Sequence, residues 1–392
     1  LIDKFLPRRD WLNQLKWRGS WSVVGNPIPN TLFARQSYDF SNGTISTRPP
    51  LFDDPQPETT TSFETGLDVW MFENKFNFDL TYYNSTLRNQ FLYVTTANGE
   101  SKPVNTGKIR NYGLEFQASY RWNINKDWRW QTGFNIAWND NRILETYKTE
   151  SGAPYEVQMG PNAFKIKYVE GGRYGDIYVN SFARDENGHI KINDAGNYEN
   201  AVPVMASGKY ETKVGNMTSP VTLGWNNTFT WKNFTLYFLI DCRIGGKVMS
   251  LTEADLDLYG LSERSAQDRL NGERVMQNGK EYILKPLPDG SGNKVSVENY
   301  YTTIGALPME DHVYNATSLR MRDISLSYDM PNLFGKNQGM TAQFSVKNAF
   351  FIYKDSPVDP DISVSAANGY SGIDCYSLPT TRSFALTLKF NF

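Results

Sequence analysis

The side chains that could perform acid–base, metal or redox chemistry are few in this 392-residue chain. It contains two histidines, His189 and His312, and two cysteines, Cys242 and Cys375. Neither histidine belongs to a metal-ligand motif, so we interpret both as solvated loop residues. The cysteines have no metal or redox spacing, and the sequence leaves their pairing open. Enzyme motifs for a serine nucleophile, a zinc site or a phosphate loop are also missing. We therefore predict that the protein is not an enzyme and has no catalytic, metal or cofactor site.

The segment Asp185-Glu186-Asn187-Gly188 is the nearest approach to an ion-binding motif. It resembles part of a calcium loop, but its glycine comes too early for an EF-hand. A tight turn is the better explanation, and a calcium ion held by this loop stays open as the alternative.

Tyrosines in polar segments are the best candidates for contacts with a ligand. A flat ring beside amide groups suits a glycan, whereas polar groups that read a backbone suit a peptide. The alternative is that each tyrosine packs against its own loop. The candidate substrate-binding residues are Tyr174, Tyr178, Tyr300, Tyr301 and Tyr370.

The carboxy-terminal segment indicates which elements hold these loops. Successive side chains of a strand point to opposite faces, and here one face includes a lysine and an asparagine while the other is wholly apolar. A tilted strand of this length crosses a hydrocarbon core, and a strand in lipid requires a closed barrel. The apolar face consists of Phe384, Leu386, Leu388, Phe390 and Phe392.

Composition agrees with a membrane barrel and excludes other classes. The mean hydropathy is −0.53, and no apolar run approaches the roughly 20 residues of a membrane helix. Barrel strands escape such averages because every second residue is polar. Aromatic residues make up 14% of the chain, which suits interfacial girdles. The net charge of −2 argues against a nucleic-acid partner.

The same alternation recurs along the chain and predicts further strands. The segment that ends at Tyr328 changes phase near Arg322-Asp323, which predicts a β-bulge there. The clearest alternating segments are Ser62 to Phe72, Phe76 to Tyr82, Leu114 to Trp122, Trp128 to Asn139, Val221 to Trp231, Phe234 to Ile240, Leu319 to Tyr328, and Ala342 to Lys347.

Connections between these segments are of two lengths, as in outer-membrane barrels with short periplasmic turns and long extracellular loops. The predicted short turns are Glu73-Asn74, Asn123 to Asp127 and Lys232-Asn233. The predicted loops are Pro27 to Glu58, Asn139 to Pro220, Gly245 to Ala316 and Tyr353 to Pro379. Within them we predict a hairpin over Ile177 to Ile192 and a short helical insertion in Leu251 to Val275. No break in composition suggests a second domain.

Several segments resemble the carboxy-terminal barrel half of the SusC/RagA-type TonB-dependent outer-membrane transporters of Bacteroidetes. The order of the motifs is more specific than any single one, and together they cover nearly the whole chain. The resembling segments are Leu15-Lys16-Trp17-Arg18-Gly19-Ser20 with Val24-Gly25-Asn26, Asn105 to Glu115, Thr317 to Tyr328, Ser345 to Phe350, and Asp359-Pro360-Asp361 with Pro379 to Phe384.

The resemblance implies an all-β fold, a transmembrane antiparallel β-barrel of about 22 strands with a plugged lumen. About a dozen alternating segments are roughly half of such a barrel. We therefore expect residues 1–392 to be one barrel domain, the carboxy-terminal part, without signal peptide, plug or TonB-interacting segment. Half a barrel leaves two open edges, so the amino-terminal plug and the remaining strands are expected partners.

The resemblance also implies a function and further partners. A member of this family imports glycans or peptides across the bacterial outer membrane, with energy supplied through TonB and a SusD-like lipoprotein as a lid. The alternatives are a passive porin or adhesin-like barrel, and a β-rich hydrolase, against which the missing catalytic motifs argue. The barrel motifs leave the choice between glycan and peptide open.

Two groups of residues gain predicted roles from this resemblance. The carboxylates Glu64, Asp68, Asp79 and Glu115 share the polar parity of their strands, where they either touch the plug or pair with lumen arginines. The final strand, which ends at Phe392, resembles the aromatic signal recognised by outer-membrane assembly machinery.

Overall fold

The computed structural model describes residues 10–27, 37–41, 44–48, 56–95, 101–149, 152, 157–159, 164–207, 210–306, 310–336, 338–362 and 372–391. Tyr370 and Phe392 lie outside these residues, so the predictions made for them concern parts of the chain that the structure does not describe.

Strands make up most of the described chain. In chain order they are β1 (Leu12–Asn26), β2 (Ser37–Ser41), β3 (Thr44–Arg48), β4 (Glu58–Met71), β5 (Phe76–Thr95), β6 (Ser101–Asn123), β7 (Trp128–Glu145), β8 (Val157–Met159), β9 (Lys165–Tyr168), β10 (Asp176–Val179), β11 (Ile192–Asn193), β12 (Val202–Pro203), β13 (Thr212–Asn216), β14 (Val221–Trp231), β15 (Phe234–Ile244), β16 (Lys247–Ser250), β17 (Glu273–Gln277), β18 (Lys280–Pro286), β19 (Lys294–Ser296), β20 (Val313–Asn315), β21 (Ser318–Gly335), β22 (Gln338–Lys354), β23 (Ile373–Asp374) and β24 (Ser383–Asn391).

Short helices interrupt the strands in one long connection. They are α1 (Leu251–Leu258), α2 (Glu263–Asn271), α3 (Val297–Ala306) and a 3-10 turn at Glu310–His312. Ser250 caps α1 and Ser262 caps α2, because each hydroxyl accepts a hydrogen bond from a first-turn backbone N–H. The predicted helical insertion is thus confirmed in α1 and α2, although its last residues belong to β17. No helix of the described chain is long and apolar enough to cross a bilayer.

Ten strands form one antiparallel sheet in the order β1-β4-β5-β6-β7-β14-β15-β21-β22-β24. Its strands follow one another along the chain. Four of the five small sheets are each inserted between two of these strands, whereas β23 joins β16 and β20 from a different connection. We expected about a dozen alternating segments, and the large sheet of the described chain has ten strands. Within the described chain, β1 and β24 lie at the two edges of the large sheet, and neither has a second neighbour.

The large sheet exposes an apolar face instead of burying it in a core. In β24 the side chains of Phe384 and Leu386 are 64% and 70% exposed. Aromatic rings of neighbouring strands stack along this face, with ring centroids 5.7 Å apart for Trp130 and Phe229. Aromatic cross-strand pairs stabilise a sheet surface, and an apolar surface without protein cover suits contact with hydrocarbon.

Several strands are longer than the alternation predicts. Strand β6 has 23 residues and β5 has 20, whereas about 9–11 tilted residues cross the hydrocarbon layer. Strand β7 continues to Glu145, so the loop predicted from Asn139 begins seven residues late. Beyond the apolar band these strands continue through backbone pairing alone. The alternation of apolar and polar residues therefore does not predict their full length.

The predicted short turns are confirmed. Phe72, Glu73 and Asn74 adopt positive φ angles of 54°, 57° and 63° between β4 and β5. Lys232, with φ of 50°, follows Trp231, which pairs with Phe234 across the β14–β15 hairpin.

The predicted bulge is also confirmed. The register between β15 and β21 shifts between Leu239 and Ile240, opposite Met321 and Asp323, so that Arg322 is left without a partner in the ladder. A bulged residue is free to re-aim its side chain. Arg322 uses this freedom in the ion-pair network described below.

The close approach of neighbouring strands leaves no room for a side chain at the glycine of β4. At Gly66 a Cβ atom would lie 2.9 Å from the carbonyl oxygen of Leu80 and 3.0 Å from Cζ of Arg18. The missing side chain lets the Arg18 guanidinium cross β4 and reach Asp79 on β5, where Nη2 lies 2.6 Å from Oδ1.

One predicted hairpin is wrong. Strand β10 starts the segment Ile177 to Ile192, but it pairs with β9 and β13, whereas Ile192 pairs with β12. Only the turn is as expected, with a bridge between Arg184 and Ile190. The reason is a distant contact, because Ile177 is buried with Ile166 in a core that the local sequence does not reveal.

Candidate functional site

The connections of the large sheet differ between the two ends of its strands. Short turns join strands at one end, and the connections between β7 and β14, between β15 and β21, and between β22 and β24 all leave from the other end. We call this second end the loop end. The described residues within 164–220, 246–316 and 372–378 at the loop end are called the loop region.

The loop region has two hydrophobic cores, and each combines different connections. In the first, Phe182 and Ile190 from the connection after β7 pack with Val295, Tyr300 and Ile304 from the connection after β15. The second joins the same two connections and adds Ile373 of β23. The connections therefore form one packed body, not separate loops.

A buried ionic cluster holds the helices of the loop region. Asp257 of α1 has a fully buried side chain and accepts hydrogen bonds from the Ser262 hydroxyl at 2.6 Å and from Arg264 Nε at 3.0 Å. His312 Nε2, also fully buried, lies 2.9 Å from Asp257 Oδ2. Burial alone would raise the pKa of Asp257, but the hydrogen bonds from His312, Arg264 and Ser262 outweigh it and lower the pKa.

This cluster corrects the sequence interpretation of His312 as a solvated residue. The ring is enclosed because the 3-10 turn packs on α1, and its nitrogen donates to an ionised carboxylate. His189 is partly exposed, with Nδ1 3.6 Å from Asp185 Oδ2. Asp185 accepts hydrogen bonds from the backbone N–H groups of Asn187 and His189, which is a closed turn.

Tyr300 and Tyr301 are buried on α3. Each is 3% exposed, and their rings meet edge to face at 5.2 Å. The hydroxyl of Tyr300 donates to Asp311 Oδ2 and that of Tyr301 donates to Asp268 Oδ2, both at 2.6 Å. Lys285 Nζ lies 4.8 Å from the ring centroid of Tyr300. These two candidate contact residues thus pack in the first core and also line a cavity.

Tyr174 and Tyr178 lie apart from that pair. The ring of Tyr174 packs on Tyr168 with centroids 4.6 Å apart, beside Ile109 and Ile143 at the end of the large sheet. The ring of Tyr178 receives Lys167 Nζ at 5.0 Å. The structure therefore does not bring the four described candidate tyrosines together into one site.

A helix-lined cavity of the loop region has a volume of about 810 Å³. Its wall combines helices α1, α2 and α3 with strand β18 and the start of the β22–β24 connection. A volume of this size fits a small oligomer or a drug-sized ligand. The lining residues used below are Glu253, Glu263, Arg264, Lys285, Asp355 and Ser356.

An ion-pair network fastens the β22–β24 connection to the sheet. Arg320 is 3% exposed, pairs with Asp359, and lies 3.9 Å from the ring centroid of Phe351. The bulged Arg322 pairs with Asp241 of β15 and reaches Asp361 at 2.7 Å. Two rigid guanidinium groups thereby hold the Asp359–Asp361 segment against β15 and β21.

The four carboxylates predicted on the polar face of the sheet have different partners. Asp79 pairs with Arg18, as one of the two predicted alternatives requires. Asp68 accepts a hydrogen bond from Trp70 Nε1 at 2.8 Å. In the β1–β4 register, Asp68 and Glu64 flank the position of Arg18. Glu115 lies opposite Thr81 in the β5–β6 register.

The remaining candidates for chemistry are dispersed. Cys242 and Cys375 are both free thiols. Within the described ranges, no group of three or more His, Cys, Asp or Glu side chains could hold a metal ion.

Comparison with known proteins identifies the family to which this architecture belongs. The sequence profile of the family described as "TonB dependent receptor-like, beta-barrel" matches residues 4–241, which is more than half of the chain. The chain belongs to the TonB-dependent receptor-like β-barrel family. The proteins of this family are TonB-dependent receptors and transporters, not enzymes. As a member of the family, this chain is assigned to the bacterial outer membrane. The apolar face of the large sheet is accordingly its lipid-facing surface.

Two curated relatives align with the whole of this chain. The chain is 23% identical over 431 residues to TonB-dependent receptor P3 of Formosa agariphila and covers 40% of that protein. It is 25% identical over 422 residues to TonB-dependent receptor SusC of Bacteroides thetaiotaomicron and covers 39% of that protein. The chain thus spans about two fifths of the length of the relatives that it matches.

Solved structures show the same fold. The RagAB peptide transporter matches the whole of this chain with a TM-score of 0.70 at 16% identity, and the match covers 42% of the transporter chain. The RagAB peptide importer in its open-open state gives 0.71 at 17% identity, with 41% covered. The ten-stranded open sheet is therefore part of a larger barrel, as the SusC/RagA resemblance implies.

The sequence interpretation missed the residues that organise the loop region. Asp257, Arg264 and His312 meet although His312 lies 55 positions after Asp257. The one local signal is the pair of serines, Ser250 and Ser262, each of which precedes a segment of helical composition and caps it.

Proposed function

We propose that this chain forms the carboxy-terminal part of the barrel of a TonB-dependent transporter that imports oligomeric nutrients, either glycans or peptides, across the outer membrane. The observation that carries the proposal is a ten-stranded sheet with an exposed apolar face. At the loop end of this sheet lies one packed region that contains a cavity. The relatives aligned with the whole chain bear the name TonB-dependent receptor, which supports energy coupling.

The proposed partners follow from the same comparison and from the open sheet edges. They are the amino-terminal plug and remaining strands of the same transporter, a SusD-like surface lipoprotein, the TonB complex, and outer-membrane lipid. SusC among the relatives supports the lipoprotein partner, and the unpaired β1 and β24 edges support the remaining strands. In this proposal residues 1–392 act as a single barrel domain with no enzymatic activity.

The loop tyrosines have unequal claims as substrate contacts in this proposal. Tyr300 and Tyr301 line the helix-lined cavity, although their hydroxyls already donate hydrogen bonds to carboxylates. Tyr174, Tyr178 and Tyr370 keep the contact role that their position in polar segments suggested. Substitution of each tyrosine by phenylalanine, followed by measurement of substrate affinity, separates the five.

Uptake by cells tests the proposed import. A strain that expresses the transporter is compared with the same strain lacking the energising TonB protein, with equal amounts of the transporter at the surface. Uptake of the nutrient should be abolished without TonB. Uptake that persists would identify a passive porin or an adhesin-like barrel. Native mass spectrometry of the purified complex then distinguishes a co-bound oligosaccharide from a peptide.

The final strand is proposed to carry the assembly signal, formed by Phe384, Leu386, Leu388, Phe390 and Phe392. Replacement of the terminal aromatic ring in F392N should reduce the surface abundance of the transporter more than the uptake per assembled barrel. The control is K389N, a change on the opposite face of β24. Quantitative surface labelling measures abundance, and an unchanged value for F392N would contradict the signal role.

A further inference from the structure

The described cationic groups that line the helix-lined cavity already have ion-pair or hydrogen-bond partners. Arg264 pairs with the buried Asp257, and Lys285 Nζ lies 2.6 Å from Asp268 Oδ2. Lys354 Nζ donates to the carbonyl oxygen of Pro357 at 2.9 Å. Among the described lining residues, no cation is therefore left without a partner to attract an anionic ligand.

Several carboxylates of the same lining lack such partners. The side chains of Glu253, Glu263 and Asp355 form no ion pair or hydrogen bond within the part of the chain that the structure describes. In total, five carboxylates and three cationic side chains line the cavity. Burial and the neighbouring charge of Asp257 raise the pKa of Glu253, and they outweigh the opposite effect of Arg264 and His312.

A buried hydroxyl in the wall gives an independent sign of a missing ligand. Ser356 is 2% exposed and lines the cavity, yet its Oγ has no hydrogen-bond partner among the described residues. A buried polar atom left unpaired costs free energy, and such groups in native proteins usually have a partner. A bound donor inside the cavity would give Ser356 Oγ the partner that it lacks.

The lining residues also indicate which kind of positively charged ligand the cavity could bind. The described residues hold no group of three or more carboxylates, histidines or cysteines at metal-binding geometry, so the free carboxylates are too dispersed for a single metal ion. Aromatic side chains, Tyr300, Tyr301 and Tyr314, complete the wall. Spaced carboxylates with aromatic walls suit an organic ligand that carries a positive charge.

We propose that the cavity binds a ligand through an ammonium group, with Glu253 as the counter-ion, Ser356 Oγ as a further acceptor, and Glu263 and Asp355 at the rim. The proposal rests on the proposed import of oligomers and narrows their chemistry. The ammonium group has two possible sources, a lysine side chain of a peptide or the amine of an amino sugar, and both present the same charged donor.

Calorimetric titration of the complete, purified transporter tests this inference with two pairs of probes. The first pair is trilysine and its Nε-acetylated form, and the second is a glucosamine trimer and its N-acetylated form. At least one amine should bind, and its acetylated partner should bind at least about tenfold more weakly, a difference of about 1.4 kcal/mol. The amine that binds identifies the source. Equal affinity within both pairs, or binding of none of the four probes, would overturn the proposal.

Variants assign the binding to this cavity. Both E253Q and S356A should weaken binding of the amine probe, E253Q by about tenfold because it removes the counter-ion. The matched control is E186Q, because Glu186 lies in an exposed turn outside the cavity. Circular dichroism checks the fold of each variant, and E263Q supplies a rim substitution should E253Q fail to fold. Unchanged affinity in the folded variants would contradict the assignment.

Uptake is measured separately on the same proteins. Loss of amine binding in the variants with TonB-dependent uptake of other nutrients intact supports the cavity assignment alone. Failure of uptake in the wild-type transporter, with amine binding retained, would contradict the import function and leave the cavity assignment standing.

Discussion

At the scale of single residues, Asp257 is the group on which the helices of the loop region depend. Its carboxylate receives hydrogen bonds from α2 and from the 3-10 turn that contains His312. In D257N the Arg264 and His312 groups lose their charged acceptor while they stay enclosed. Breaking a buried pair by removing one partner costs about 3–5 kcal/mol. Because Arg264 is one-third exposed, we expect the lower end, about 3 kcal/mol.

Hydrogen exchange measured by mass spectrometry reports this loss as faster opening of α1 and α2. The control D255N changes a neighbouring carboxylate on the same helix, and its effect should stay within about 0.5 kcal/mol. Equal protection of α1 in D257N and in the wild type would contradict the structural role of the cluster.

Acid should loosen the loop region through two carboxylates. Asp289 is partly shielded, which would raise its pKa, but hydrogen bonds from Ser291 and the Ile190 N–H lower the pKa from 3.8 to about 2. The pKa of Asp257 is lowered as well. A depressed pKa in the folded state means that the stabilisation is full above the unfolded pKa and is lost as pH falls.

We therefore expect protease resistance of the loop region to be constant above about pH 5 and to decline as pH falls from about 4 towards 2. Limited digestion with an acid-active protease measures this decline. In D289N the part due to Asp289 should already be missing at pH 6. A wild-type protein that stays equally resistant down to pH 2 would rule out this linkage.

Residue environments were the least predictable property of the sequence. His312 stands in a polar segment and gives no local sign of burial, because Asp257 and the packing of α1 enclose it from a distance. Tyr300 and Tyr301 were recognisable as aromatic side chains in a connection, but their packing against Phe182 and Val295 depends on chain brought together by the fold.

At the scale of elements, the two faces of β24 should differ in their tolerance of charge. Leu386 lies on the apolar face, whereas Thr387 lies on the polar face opposite Gln343. In L386R an arginine meets lipid, at a cost of about 2–4 kcal/mol at mid-depth. T387R places the same side chain on the polar face, where the cost is small.

The fraction of heat-modifiable, folded barrel in outer-membrane extracts compares the two substitutions. We expect a marked decrease for L386R and a near-normal fraction for T387R. The reverse order, or an equal loss in both, would show that the two faces have been assigned incorrectly.

Alternation predicted elements well wherever one face is apolar. The β14–β15 hairpin and β24 follow the predicted parity, since lipid contact selects one side chain in two. It failed beyond that band, where β5 and β6 continue by backbone pairing. It also failed for β10, whose partners β9 and β13 are chosen by the buried Ile166 and Ile177.

At the scale of the whole molecule, the open edges decide what the described sheet can do alone. Strands β1 and β24 each leave a row of unpaired backbone groups, which lipid does not tolerate. Residues 1–392 expressed alone should therefore not give a stable folded monomer in detergent. Co-expression with the remaining strands of the transporter should restore a folded barrel.

Size-exclusion chromatography with multi-angle light scattering, combined with resistance to heat in detergent, distinguishes these outcomes. A soluble heat-resistant monomer of residues 1–392 alone would show that the edges are satisfied within this chain, and it would refute the need for a partner.

The interleaved cores of the loop region constrain how such a protein can diversify. Asn299 donates to the carbonyl oxygens of Tyr198, Glu199 and Ala201, so the connection after β15 is bonded directly to the connection after β7. A recombination event that replaces one connection with that of a relative would sever these bonds and mismatch both cores. Heritable change in surface specificity is therefore expected to spread by exchange of the connections as one cassette, or by point substitutions that leave their shared packing intact.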